Sequence, residues 1–170
     1  MQKFGSFFLN RFLIHFIILD TTVSIINAIW HNFPNSQVIP LRLFVQEALL
    51  RSKTSLSTLK TALFYLKRIK PQIEILSNHD PAICGRRMFI ASLIIASKYL
   101  QDRTHRNTVW AKICGLPLQE INVIERRFLN LINFTLFINQ EEYINWTQNV
   151  EERDFFMQFI LSKEPNHVFI

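Results

Sequence analysis

The sequence predicts an all-α fold, and three observations carry that expectation. Between Arg86 and Asp102 the chain has no Pro or Gly, and from Met88 to Ala96 it has no charge and a single polar side chain, Ser92. Elsewhere apolar residues recur at spacings of three and four, the period of a helix face. The 170 residues include only three Gly and six Pro, too few for a turn-rich β fold or for disorder. A run of roughly 15 residues is longer than a usual strand. Its uncharged centre, about nine residues, is too short to span a bilayer. A helix that is apolar on nearly every side must be enclosed by others. Ala91, Ser92, Ala96 and Ser97 would let those neighbours come close. This stretch is therefore read as the central helix of a bundle.

The other elements follow in order. Residues 4 to about 30 read as one amphipathic helix or two, with Phe12, Phe16, Leu19, Val23, Ile26 and Trp30 sharing a face, and Asn32 to Ser36 is a turn cluster. Pro40 sits at a natural helix start. The helix from Leu41 to Leu50 turns Leu41, Phe44, Val45 and Ala48 inward and Arg42, Gln46 and Glu47 outward. Ser55 is placed to N-cap a helix from Leu56 to Ile69, lined by Leu56, Leu59, Leu63 and Leu66 and stopped by Pro71. After the central helix, a short one over 109–113 ends at Gly115, which tolerates the left-handed backbone of a helix end. Leu116-Pro117 opens another, running to about Asn133, with Ile121, Ile124, Phe128, Leu131 and Ile132 inward. Its Glu120, Glu125, Arg126 and Arg127 are expected to face water. Gln140 to Val150 forms a last helix. The expected division is a helical segment 1–35 packed on a core 36–150, with a tail 151–170.

Composition narrows the function. With 49% hydrophobic residues the chain can bury a full core, and its net charge of +6 is spread without any block of five like charges. A nucleic-acid tail is not expected. Phe7 to Leu19 is apolar, but Arg11 and His15 interrupt it and Asp20 ends it, so no membrane segment is expected either. Cys84 and Cys114 have no metal-ligand spacing and read as buried free thiols in a reducing compartment, and the expected location is intracellular, nucleus and/or cytoplasm. The five His are scattered, no phosphate-cradling Gly loop exists, and the Glu141-Glu142 and Glu151-Glu152 neighbours point to different helix faces. No catalytic residues, metal or cofactor are expected. Recognition remains. Phe89, Tyr99 and Trp110 with Arg86, Arg87 and Lys98 have the composition of a binding hot spot, although each also suits a core or solvated position.

Four stretches together resemble the cyclin box. They are Tyr65-Leu-Lys-Arg68, then Arg87 to Asp102 with its Ala96-Ser97-Lys98, then Asn107-Thr-Val-Trp110-Ala-Lys-Ile-Cys-Gly115, and Glu120-Ile-Asn-Val-Ile-Glu125-Arg-Arg-Phe128-Leu. Within that family the chain is most similar to the fungal phosphate-pathway cyclins and their cell-cycle relatives, also through Thr21-Thr22-Val-Ser24 and Ile39-Pro40-Leu. The resemblance spans about residues 9–140. It implies a single five-helix cyclin fold whose third and fifth helices pack on a cyclin-dependent kinase, holding its regulatory helix inward so that the Lys–Glu pair positions ATP. It implies that Arg86, Arg87, Phe89, Lys98, Asn107 and Trp110 lie at or near the kinase contact, and that Leu41, Arg42 and Val45 mark a substrate-docking patch.

The chain departs from the pattern in places. Many cell-cycle cyclins have Asp where Lys67 stands, paired with the equivalent of Arg42. Their kinase-contacting Lys falls near Cys84, where Arg86 or Arg87 would substitute, and its partner Glu falls near the neutral Asn107. The rival reading from another class is a nucleic-acid-binding transcription factor with a cyclin fold, which the basic charge would suit.

Overall fold

The computed structural model describes residues 18–31, 39–76, 80, 82 and 84–153, the last seven of these as backbone only. Among the described residues the regular structure is all helix, with no strand. The sequence expectations for Phe12, Phe16, the turn 32–36 and the end of the tail fall outside them. The chain divides into two units, residues 1–136 and 137–170.

Among its described residues the first unit holds six α-helices. α1 covers 18–29 and buries Leu19, Thr22, Ile26 and Ile29, with Trp30 just beyond its end. The spacing of three and four puts these on one stripe, and Thr22 satisfies its buried hydroxyl by donating to Ile18 O at 2.8 Å. α2 is Leu41–Ser52 and follows Pro40. It ends with Lys53 in the left-handed region, φ 52°, its N–H donating to Leu50 O and that of Thr54 to Leu49 O.

α3 is Leu56–Ile73, and the Ser55 hydroxyl accepts from Thr58 N at 3.2 Å, the expected cap. The helix does not stop at Pro71. That proline costs one hydrogen bond in the final turn only, and the fully buried Ile69 and Ile73 on either side hold the turn by packing. Leu56, at the helix start, is exposed rather than part of the inner face.

α4 is Gly85–Leu100, with every residue from Met88 to Ser97 buried. It touches α2, α3, α5 and α6, the central position the sequence predicts. α5 is Asn107–Cys114, closed by Gly115 at φ 67°. α6 is Leu118–Leu131 and buries Ile121, Ile124, Phe128 and Leu131, with Ile132 following. Helices α2 to α6 supply the five helices of the expected cyclin fold. The second unit contains α7, Gln140–Arg153, where Asn139 Oδ1 accepts from Glu142 N and the acidic Glu141 and Glu142 suit the positive helix start. Among the described residues no helix is long and apolar enough to cross a membrane, and no group of acidic, His and Cys side chains could hold a metal.

Candidate partner-binding surface

The six residues marked by sequence for partner contact do not form one patch. Arg86 and Arg87 stand at the start of α4, and Lys98 near its end, roughly 18 Å away at 1.5 Å per residue. Phe89 and Trp110 are 0% and 1% exposed. Neither has surface to offer, and both are packing residues that fix α4 and α5 from within. Their composition suited a hot spot, but large aromatics fill cores for the same reason they fill interfaces. Trp110 leaves its buried Nε1–H without an acceptor and meets the His105 ring edge-on at 6.1 Å.

At the far end of α4, Lys98 and Asn107 are brought together with two residues of α6. Lys98 Nζ donates to Glu125 Oε1 at 2.5 Å and to Asn107 Oδ1 at 2.9 Å. Asn107 Nδ2 donates to Glu125 Oε2 at 2.6 Å and to Asn122 Oδ1 at 2.8 Å. A carboxamide serves here because it accepts from the ammonium and donates to the carboxylate at once. A Glu at this position would face Glu125 with no proton to give. The neutrality of Asn107 thus follows from its neighbour.

At the near end, Arg87 pairs with Glu120 at 2.5 Å, and Arg86 donates to Ile39 O with its guanidinium 5.5 Å from the centre of the Phe44 ring. Asp80, just before α4, is held in a bidentate pair by Arg127 of α6, at 3.0 and 2.6 Å. Burial alone would raise the Asp80 carboxyl, but the hydrogen bonds from Arg127 and from Ala82 N outweigh it and hold the group below the ordinary carboxylate range. Glu120, Glu125 and Arg127 are therefore not the solvated charges the sequence suggests. They brace α6 against both ends of α4. Arg126, between them, is exposed.

The docking residues divide likewise. Leu41 and Val45 are buried, Val45 completely, so they belong to the core. Arg42 is half-exposed and its Nε donates to Asp20 of α1 at 2.8 Å. The cation that lost an Asp at position 67 has found another on α1, and Lys67 is exposed. The outward apolar residues of α2 are Leu43 and Leu50.

One exposed group was not anticipated. α6 ends in a Schellman arrangement, with Asn133 N donating to Asn130 O and Phe134 N to Leu129 O. Asn133 and Phe134 both have positive φ, 51° and 55°. Asn tolerates that backbone, whereas Phe does so at a cost. The following carbonyls are tied down by α3, Thr135 O accepting from Arg68 and Leu136 O from Tyr65. Burial raises the Tyr65 hydroxyl far above its usual range, so it stays a donor. Phe134 is left 62% exposed, and on α6 itself Val123 is 50% exposed. The signal in the sequence was Asn133 directly after a helix-period run, the residue type that ends helices when Gly is absent.

Both cysteines are free thiols and half-buried rather than enclosed. Burial pushes the Cys114 thiol up to about 11, against a smaller opposing effect of Arg51.

Comparison with known proteins agrees with this architecture. The family model for cyclins matches residues 47–136. The chain is 33% identical to the G1/S-specific cyclin pas1 of Schizosaccharomyces pombe over 119 residues, 69% of this chain and 29% of the relative. It is 31% identical to PHO85 cyclin-5 of Saccharomyces cerevisiae over 109 residues, 62% of this chain and 48% of that protein. Against PHO85 cyclin-1 of the same yeast the identity is 29% over 139 residues, 75% of this chain and 49% of the other. The chain thus spans less than half the length of these relatives. The family match, which runs from within α2 to just past α6, and the 33% identity to a G1/S-specific cyclin over 69% of this chain place it in the cyclin family.

Proposed function

We propose that the chain is the regulatory partner of a cyclin-dependent kinase of the PHO85 type, performing no chemistry itself and biasing the kinase toward its active arrangement. Contact falls to the outer face of α6, through Val123, Arg126 and Phe134, and to the exposed start of α4 with Arg86 and Arg87. The observation that carries this reading is Phe134. A large apolar side chain is held out to solvent on a left-handed backbone that costs free energy, in a chain of a family of kinase regulators, and such strain concentrates at functional sites. Docking of kinase substrates on α2, if this helix selects them, uses Leu43 and Leu50, since Leu41 and Val45 are buried.

The test is the affinity of the purified chain for its kinase with and without Phe134→Ala. Truncation of a contact anchor is expected to weaken binding by about 2 kcal/mol, roughly 30-fold. Unchanged affinity in a folded variant would remove Phe134, and the α6 face with it, from the contact.

A further inference from the structure

The start of α4 lacks the local signals that begin a helix. Cys84 in the N-cap position makes no side-chain hydrogen bond, no acidic residue lies in the first turn, and two cations, Arg86 and Arg87, sit against the positive end of the helix dipole. Something outside the helix must hold it. Ala82, completely buried two residues before Cys84, has both backbone groups engaged by different elements. Its C=O accepts from Trp30 Nε1, beyond α1, at 2.9 Å. Its N–H donates to Asp80 Oδ1 at 2.9 Å, and that carboxylate is the one gripped by Arg127 of α6. Gly85 makes the close approach feasible, since a Cβ there would lie 3.0 Å from both Ile26 and the Trp30 ring.

We infer that Trp30 and Arg127 are positioning residues: acting through the two backbone groups of Ala82, they tie that residue, two before Cys84, to α1 on one side and α6 on the other, and so fix Arg86 and Arg87 relative to the α6 face. The lock stands in for the missing cap. Its bearing on kinase binding rests on the proposed function, whereas its existence does not. It also gives α1, which lies outside the residues matched by the family model, a part in shaping the surface.

The experiment compares the full chain with Trp30→Phe, which keeps an aromatic ring but leaves Ala82 O unpaired, with Arg127→Met, and with the double variant. Amide hydrogen exchange is read at Met88, whose N–H bonds Cys84 O in the first turn of α4, against Leu59, whose N–H bonds Ser55 O in the first turn of α3. Each single variant is expected to speed Met88 exchange about fivefold or more relative to Leu59. The double variant should add less than the product of the two, because both act through one residue. Equal acceleration at both amides would mean general destabilisation and overturn the lock, as would fully multiplicative effects. In a second arm, the kinase captured by the wild-type chain is titrated with Trp30→Phe under conditions where both are folded. Binding should weaken by about fivefold, and unchanged binding would overturn the positioning role. If the wild-type chain captures no kinase while Met88 responds as expected, the proposed function fails and the lock stands as a property of the fold.

Discussion

A buried aromatic and an exposed one respond to truncation in opposite ways. Phe89→Ala or Trp110→Ala empties a closed site and should cost about 3–5 kcal/mol in stability, seen as a large drop in the urea midpoint. Phe134→Ala should leave that midpoint near the wild-type value and act on binding instead. Asp80 offers a second test through pH. Because its carboxyl is held below its ordinary range in the folded chain, the stability it contributes is fully present at neutral pH and is lost as pH falls through its folded-state value. Asp80→Asn should therefore be less stable than wild type at pH 7, with the gap narrowing as acidification protonates the wild-type carboxyl. A gap that does not change on acidification while both chains stay folded would mean the charge on Asp80 is not what matters. Cys114, with its thiol held near 11, should react slowly with a thiol reagent at pH 8.

The same residues show what a sequence can reveal. The inward faces of α1, α2 and α6 are legible because a helix face repeats every three or four residues, within a window that reads locally. The pairs Arg87–Glu120 and Arg127–Asp80 join positions 33 and 47 residues apart, and no local period marks them. Phe89 and Trp110 were ambiguous for a different reason, since cores and interfaces draw on the same side chains. Only burial separates them.

At the scale of elements, α4 is braced by α6 at both ends. The Lys98–Glu125–Asn107 cluster is half-exposed, so its net worth is modest. A double-mutant cycle on Lys98→Met and Glu125→Gln should give a coupling of about 1 kcal/mol in stability. A coupling near zero would show that the cluster is held by the packing of α4 on α6 rather than holding it. α3 illustrates how packing overrides local preference. Pro71 marks a stop by local chemistry, because proline lacks the N–H a helix needs, yet Ile73 is completely buried and the helix continues to it. The start of α4 is the converse case, a helix with poor local signals whose beginning is fixed by α1 and α6.

At the scale of the whole molecule, the described chain is a five-helix cyclin core carrying α1 on one side of its central helix, with α7 in a separate unit. The core was legible because the run that forms its central helix, free of Pro and Gly, is too long for a usual strand, while its uncharged centre is too short for a membrane. The partner surface was less so, because it depends on which side chains the folded core leaves outside. Leu41, Val45, Phe89 and Trp110 went in, whereas Phe134 stayed out. The central claim is that this chain engages a cyclin-dependent kinase and shifts it toward activity. It is tested most directly by capturing a panel of such kinases on the purified chain and assaying phosphorylation by the captured complexes against the free kinases. The account predicts capture of at least one kinase with a clear rise in its activity. A folded chain that captures none, or that captures one without activating it, would contradict the account.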